Sequence, residues 1–375
     1  MSTITIKEVG SFQQLLKTVL GAIDNKAQNE LLTGVLVQAK GDEVELIATN
    51  GDKTIRCTGK DVSQTKSEVA FLVHAKTFFE LLKKLPKEEI TIDIKKTKIT
   101  LTVKKNKYDL SKMDESSFPI LQTEEFDTSF EVLANKFVAG LNATLYAVSE
   151  SANRPILGGV HMEGKGEGEV VFTATDSHRL SSYGIKLNEE QEAFDGIVIP
   201  GKAVEELIKT FSPLDEKSIT IQFSRNNVQI SSESILFASR LLEGTFPRTE
   251  GLIPKEFSTS CKVHKEELAA SLKRLLVMLE ATKDKIICLT LNSESTLPIL
   301  QMEGKTELAK AHEELFIKDA SGDIQLKLSV KYMLDAIGAI PGKEVIIKFL
   351  DPMKPIVLYP SEDDTSSVDL LLPVR

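Results

Sequence analysis

The feature that most constrains the fold of this chain is an internal repeat with a period of about 125 residues. The segment ELIATNGDKTIRC (45–57) aligns with VFTATDSHRLSSY (171–183), and FLVHAKTFFELLKK (71–84) aligns with IVIPGKAVEELIKT (197–210). A weaker third copy includes LKLSVKYMLDAIGA (326–339). This period is too long for a solenoid, and it predicts three homologous domains.

The repeats also predict where the 375 residues divide. Each copy ends in an apolar residue followed by proline, at 118–119, 246–247 and 372–373. We therefore expect domains at 1–127, 128–255 and 256–375. A chain of this length exceeds one ordinary core, whereas each third is large enough to fold on its own.

Hydrophobic periodicity changes in a fixed order within each repeat. A helical stripe comes first, with apolar residues at i, i+3 and i+4, as at Phe12, Leu15 and Leu16. Alternating apolar residues predict antiparallel hairpins, as at 90–103 and 218–231. Second helices are predicted near 75–85, 201–211 and 330–340. Each domain is thus predicted to be α+β, with two helices packed on antiparallel sheet.

Composition excludes several classes of protein. A net charge of −9 argues against a protein that coats nucleic acid by bulk electrostatics, although it leaves room for a local basic surface. The sequence shows neither a secretory leader nor an apolar run of membrane-spanning length, so we expect a cytoplasmic protein without membrane contact. The cysteines lack CxxC spacing, which disfavours disulfides and zinc; they are Cys57, Cys261 and Cys288.

The segment TATDSHRL (173–180) gathers residue types that are found in catalytic sites. An enzyme would use Ser177 as nucleophile and His178 as base, but neighbours on an extended strand point to opposite faces. The segment also lacks the G-x-S-x-G turn of a hydrolase, and the histidines never approach metal-ligand spacing. We predict no catalytic residue, cofactor or metal. A polar strand end with a satisfied histidine remains an alternative to a binding role.

Helix geometry suggests one architecture for three such domains. If the two helices of each domain faced inward around a ring, six helices packed roughly 8 to 10 Å apart would leave a hole of only about 8 Å. Twelve helices from two chains would leave about 25 Å, enough for a duplex about 20 Å thick. A head-to-tail pair of chains could enclose duplex DNA, although the repeats alone do not place these helices at a hole.

Several longer segments are specific for one family. They include YAVSESANRPILGGV (146–160), FTATDSHRL (172–180), FASRLLEGTFPRTEGLIP (237–254) and LLLPVR (370–375). On these segments the chain resembles the bacterial DNA polymerase III beta subunit, the DNA sliding clamp, along essentially its whole length. The resemblance implies a homodimeric ring of six clamp domains around duplex DNA. It also implies that the replicative DNA polymerase, the clamp loader and other clamp-motif proteins bind to this ring.

The same resemblance implies a pocket for short peptide motifs, with TATDSHRL as one wall. Leucine, valine and proline would bury apolar anchors, while threonine, histidine and arginine would fix the peptide backbone. The implied pocket residues are Leu157, Thr175, Ser177, His178, Arg179, Leu180, Pro247, Leu252, Tyr332, Leu370, Leu372, Pro373, Val374 and Arg375.

Two further sites follow from the resemblance. Cations on the helices and their following turns are candidates for phosphate contact, with ordinary solvated faces as the alternative; they are Lys17, Lys26, Lys76, Arg154, Lys202, Lys273 and Arg274. An apolar cluster would join domain 1 of one chain to domain 3 of the other, with internal core as the alternative; it comprises Tyr108, Leu110, Met278 and Leu279.

The first domain departs most from the family pattern. The segment KAQNELL (26–32) has Glu30 where proline is common and Lys26 where arginine is common. This departure leaves an alternative function, a divergent clamp-like paralogue that binds clamp-motif peptides without forming a loaded ring.

Overall fold

The computed structural model describes residues 2–24, 27–119, 125–293, 297–361, 364 and 366–374. Two compact units are found in this described part of the chain. Unit 1 comprises Met1–Asn135 and Glu205–Leu241, and unit 2 comprises Lys136–Val204 and Leu242–Arg375.

The helices and strands follow the predicted repeats. The first repeat contains β1 (Ser2–Ile6), α1 (Val9–Val19), β2 (Gly34–Lys40), β3 (Glu43–Thr49), β4 (Lys53–Lys60), β5 (Ser63–Thr65), β6 (Val69–His74), α2 (Ala75–Lys84), β7 (Ile90–Ile94), β8 (Lys98–Val103) and β9 (Asn106–Met113). The second contains β10 (Thr128–Leu133), α3 (Ala134–Leu145), β11 (Gly159–Gly166), β12 (Glu169–Thr175), β13 (Arg179–Lys186), β14 (Phe194–Pro200), α4 (Gly201–Phe211), β15 (Ser218–Phe223), β16 (Asn227–Ser231) and β17 (Ile235–Arg240). The third contains β18 (Thr259–His264), α5 (Lys265–Met278), β19 (Ile286–Asn292), β20 (Ile299–Lys305), β21 (Lys310–Phe316), β22 (Asp319–Ser321), β23 (Ile324–Ser329), α6 (Val330–Ala339), β24 (Glu344–Phe349), β25 (Ile356–Tyr359) and β26 (Ser367–Leu371).

The order of elements is the same in each repeat. A strand and a helix lead into four or five strands, and a second helix then precedes three strands. The second helices begin at Ala75, Gly201 and Val330, as the periodicity predicts. The α+β class with antiparallel pairing is confirmed.

Unit 1 is built on one antiparallel sheet. Among its described residues the strand order is β10-β15-β16-β17-β4-β3-β2-β6-β9-β8-β7-β1-β5. The pairing of β17 with β4 places Phe237 opposite Ile55, and both side chains are fully buried. On the helical side, the rings of Phe12 and Phe71 each meet Phe78 edge to face, with centroids 6.1 and 6.3 Å apart respectively. Burying each phenyl group contributes about 1.5–3 kcal/mol to folding, so this cluster fixes α1 and α2 on the sheet.

Unit 2 contains two antiparallel sheets in its described part. Their strand orders are β14-β11-β12-β13-β26-β25-β24-β18-β22 and β21-β20-β19-β23. The apolar faces of α5 and α6 pack into one core, to which Leu272, Leu275 and Met333 belong. The pairing of β13 with β26 sets Leu180 opposite Leu370. This pair brings the chain's last strand beside the TATDSHRL segment.

Two kinds of feature are missing from the residues that the structure describes. In those ranges no helix combines the length and the apolar character needed to cross a membrane. Nor do those ranges contain three or more His, Cys, Asp and Glu residues grouped to hold a metal ion.

Candidate peptide-binding groove

The TATDSHRL segment forms a tight turn between β12 and β13. The carboxylate oxygen Oδ1 of Asp176 accepts hydrogen bonds from the backbone N–H groups of His178 and Arg179, at 2.9 and 3.0 Å. Ser177 has φ = 77°, in the left-handed region. The expectation that Ser177 and His178 lie on an extended strand is therefore wrong, because the Asp176 side chain favours a turn at this point.

The polar groups of the turn largely satisfy one another. The hydroxyl of Thr175 donates to the carbonyl of Arg179 at 2.7 Å and accepts from the N–H of Ser177 at 3.2 Å. The Ser177 hydroxyl accepts from Nη1 of Arg154 at 3.4 Å. A guanidinium has no acceptor and cannot act as a general base, so this contact does not activate Ser177 as a nucleophile.

Arg179 is a structural anchor of the site. Its Nε donates to Asp176 at 2.9 Å and its Nη1 donates to Asp335 of α6 at 2.6 Å. The guanidinium also lies over the rings of Tyr332 and Tyr146, at 4.5 and 5.2 Å from their centroids. Burial opposes the charge, but the hydrogen bond to Asp335 and the charge of Asp176 raise the pKa of Arg179. The side chain is only 9% exposed, so it shapes the wall and has little charge to offer a ligand.

A polar pair of one buried carboxylate and one partly buried tyrosine lies beneath this wall. The hydroxyl of Tyr146 donates to Oδ1 of Asp369 on β26 at 2.5 Å. Burial raises the pKa of Asp369 to about 7 and raises that of Tyr146 well above its usual value. Sequence reasoning missed this pair and Asp335. The available signal was one carboxylate between the valine and the leucines of the C-terminal strand, because a buried acid requires a partner.

The turn borders a groove of about 280 Å³ within unit 2. Of the predicted pocket residues that the structure describes, those that line it are Leu157, Thr175, Ser177, His178, Arg179, Leu180, Pro247, Leu252, Leu370 and Leu372. Arg154, Thr249 and Pro355 also line the groove and were not predicted there. Leucines from four separate segments face one cavity, which suits an apolar side chain of a ligand.

A second cavity of about 420 Å³ adjoins the groove and shares Arg154 and His178 with it. Tyr332 lines this second cavity, where its ring stacks on His178 with centroids 6.2 Å apart. The remaining predicted wall residues lie elsewhere. Pro373 and Val374 do not line the groove, because the N–H of Val374 donates to the carbonyl of Lys327 on β23 at 2.9 Å. Arg375 lies outside the described residues.

Comparison with known proteins identifies the family. Models of the N-terminal, central and C-terminal domains of the DNA polymerase III beta subunit match residues 4–122, 131–248 and 250–375. The beta sliding clamp of Staphylococcus epidermidis is 30% identical over 384 residues, covering 100% of both chains. The chain belongs to the DNA polymerase III beta subunit family.

Solved structures of other members match the whole fold. The sliding clamp of Bacillus subtilis is 26% identical with a TM-score of 0.93, covering 100% of this chain and 99% of its own. The beta subunit of Streptococcus pyogenes is 28% identical with a TM-score of 0.92, covering 100% of both chains. These matches confirm the predicted family and its three clamp domains, and they support a processivity factor rather than an enzyme. They favour sliding-clamp function over the divergent-paralogue alternative, whereas the domain boundaries at 127 and 255 stay predictions.

The predicted DNA-contact residues fall into four groups. The lysines that are exposed on α1, α2, α4 and α5 are Lys17, Lys76, Lys202 and Lys273. Arg274 instead pairs with Glu313 of β21, through Nε and Nη2 at 2.8 and 2.6 Å. Arg154 is exposed and borders the groove, and Lys26 lies outside the described residues. The pairing of Arg274 could not be predicted from its own segment, because its partner is 39 residues away.

The predicted dimer-contact residues are not equally accessible. Leu279 is 1% exposed and packs in the core of unit 2, as the internal-core alternative predicts for this residue. The end of α5 instead exposes Val277 at 71% and Met278 at 41%. Tyr108 and Leu110 lie half-buried on β9. Burial of Leu279 follows from the fold, since its side chain packs against Gly304 of β20.

Proposed function

We propose that two copies of this chain close head to tail into a ring around duplex DNA and tether the replicative DNA polymerase to it. Domain 1 of one copy would meet domain 3 of the other. The clamp loader and other clamp-motif proteins would compete with the polymerase for the groove described above. The ring would act in the cytoplasm. In the alternative, the groove binds such peptides but no ring forms.

The observation that carries this proposal is the groove. Its walls come from the second repeat, through Leu157 and Leu180, and from the third, through Leu370 and Leu372. Apolar pockets with a few convergent polar groups suit short linear peptides that bury one or two large side chains. Arg154 is the exposed cation at the rim, which favours a peptide carrying a carboxylate.

Contact with DNA is supported by a repeated cation. The second residue of the second helix is an exposed lysine in each repeat, namely Lys76, Lys202 and Lys331. Phosphate contacts by lysine carry no sequence information and exchange readily, so they permit movement along a duplex. Because the chain as a whole carries a net charge of −9, contact with DNA depends on such local cations.

A topological experiment tests the ring. The protein is loaded by the cognate loader onto nicked circular DNA, separated from free protein by gel filtration, and the DNA is then cut once. We expect the protein to stay on the circle and to leave the linear molecule. Equal retention on both would contradict encirclement, because contact with phosphates alone does not depend on DNA ends.

Solution mass tests the dimer. Light scattering should give about twice the 41.4 kDa of one chain, and Met278→Lys together with Tyr108→Lys should shift the mass towards the monomer. Lys310→Glu on the same unit serves as a matched surface control. A wild-type monomer at every concentration that still bound peptide would favour the alternative function.

A further inference from the structure

One wall of the groove is a segment without regular strand or long helix. Residues 242–252, which we call the strap, contain only a short helical turn at Glu250–Leu252. The strap supplies Pro247, Thr249 and Leu252 to the groove lining. A wall of this kind needs contacts outside the groove to hold it, because an extended segment does not satisfy its own backbone.

The first such contact is an aromatic stack. The rings of His161 on β11 and Phe246 in the strap are parallel within 1°, with centroids 4.6 Å apart. Gly196 of β14 backs the imidazole, since a Cβ atom there would lie 1.8 Å from its Nε2. Only glycine at 196 leaves room for this ring. Phe246 directly precedes Pro247, so the stack fixes the backbone that enters the groove.

The second contact is an ion pair. Nζ of Lys165 lies 2.5 Å from Oε1 of Glu250 in the strap and 2.7 Å from Oε1 of Glu163. The hydrogen bond from Lys165 lowers the pKa of Glu250, so the pair remains charged at neutral pH. Lys165 projects from the same strand as His161, and the two residues hold the strap on either side of Pro247.

The end of the strap is fixed by apolar packing. Ile253 and Phe257 follow it and pack against Leu180, Val357 and Leu370. The strap is therefore held at its C-terminal end by the groove's own core. Along its length, the stack and the ion pair are the side-chain contacts to β11 that position it, and at its start the N–H of Leu242 donates to the carbonyl of Val198 at 2.9 Å.

We propose that His161 and Lys165 are positioning residues for the groove, which hold the strap in its binding position without touching the occupant. Neither side chain lines the groove. Their role rests on the proposed peptide binding, because a strap ordered in advance spares the ligand the entropy of ordering it. His161 and Lys165 thus raise the affinity of the groove for its peptide without contacting that peptide.

The stack is tested by two substitutions at one position. The probe is a fluorescein-labelled octapeptide with two adjacent leucines and one aspartate, and its affinity is read from fluorescence anisotropy. We expect His161→Ala to weaken binding about tenfold and His161→Phe, which retains a stacking ring, to stay within about threefold of wild type. Equal weakening by both variants, or by neither, would overturn this role of the stack.

The ion pair is tested by a double-mutant cycle. We expect Lys165→Met and Glu250→Gln each to weaken binding about threefold, and the double variant to bind no worse than either single one. This pattern follows because either change breaks the same contact. Additive losses would mean that the two residues act separately and would contradict the proposal.

Hydrogen exchange tests the ordering of the strap independently of the proposed peptide binding. In His161→Ala the amides of residues 244–250 should exchange faster than in wild type, with or without peptide. A wild-type protein that does not bind the probe would count against the peptide groove, while faster strap exchange would still support the positioning role. Unchanged exchange together with unchanged affinity would overturn the strap proposal and leave the groove intact.

Discussion

Two turns that lie 126 residues apart in the sequence share one backbone geometry but differ in their surroundings. In unit 2 the hydroxyl of Thr175 donates to the carbonyl of Arg179 at 2.7 Å. In unit 1 the hydroxyl of Thr49 donates to the carbonyl of Lys53 at 2.9 Å. The threonine at each strand end therefore belongs to the turn and does not by itself mark a binding site.

The side-chain cap and the left-handed residue are shared as well. Oδ1 of Asn50 accepts two backbone hydrogen bonds at 3.0 and 2.9 Å, as Oδ1 of Asp176 does at 2.9 and 3.0 Å. Gly51 has φ = 94° where Ser177 has φ = 77°. The polar character of TATDSHRL is thus mostly turn chemistry, which both repeats require.

The difference lies in the side chains on the paired strands. In unit 2, Leu180 faces Leu370 across β13 and β26, and both line the groove. In unit 1, Thr54 faces Ala238 across β4 and β17. Binding therefore depends on the apolar residues beside the turn, while the turn itself is a shared scaffold.

The layer beneath the two strand pairs differs too. Unit 2 places the buried Ser181 and Asp369 and the partly buried Tyr146 there. The equivalent positions in unit 1 are apolar: Leu20, Ile55 and Phe237. A polar layer costs free energy unless it is satisfied, so its retention in one repeat predicts distinct responses to pH and mutation.

The largest expected effect concerns Asp369. Its pKa of about 7 lies above the unfolded value, so the folded state binds the extra proton and the free energy of unfolding falls as pH rises from about 4 to about 7. Over this pH range the free energy of unfolding falls by about 4 kcal/mol at most. Asp369→Asn retains an acceptor for Tyr146 and should remove this slope, as urea unfolding at pH 5 and pH 8 would show. An equal change in the free energy of unfolding with pH in the variant and the wild type would refute the assignment of this pH dependence to Asp369.

Arg179→Met should destabilise the protein by about 3 kcal/mol, because it leaves the carboxylates of Asp176 and Asp335 without the guanidinium that pairs with them. The corresponding change in unit 1, Lys53→Met, should cost below about 1 kcal/mol. Thermal unfolding of both variants checks the contrast. Equal losses would mean that Arg179 is not the anchor that distinguishes the two turns.

Leu180→Thr places in the groove the residue type that unit 1 has at the equivalent position, Thr54. Loss of the apolar wall should weaken binding of the labelled octapeptide at least about tenfold, equivalent to about 1.4 kcal/mol. Thr54→Leu is the matched control and should leave this affinity unchanged. Binding that survives Leu180→Thr would show that the apolar side chains do not define the groove.

The smallest effects come from the left-handed residues and have opposite signs. Gly51→Ala should destabilise the protein by about 1 kcal/mol, whereas Ser177→Gly should stabilise it by about 0.5 kcal/mol, since glycine adopts positive φ without strain. Urea midpoints of the two variants test this. A stabilising Gly51→Ala would contradict the shared geometry of the turns.

The sequence by itself determined the repeat and the element order. These properties are local, because the direction of successive side chains follows from the backbone of each segment. Leu157, Leu180 and Leu372 of the groove were predicted through their motifs, which are also short and contiguous. Whether Leu279 meets the core or a partner chain stayed open, since a helix that is apolar on more than one face does not reveal which side meets the core.

Only the tertiary structure decided which distant segments meet. Tyr146 and Asp369 are 223 residues apart, and Phe246 reaches His161 through a strap that has no periodicity to read. Arg274 is paired with Glu313 for the same reason, although its position alone favoured a free cation. Such contacts depend on how whole elements pack, and packing is set by the sum of many weak interactions that no single stretch of sequence contains.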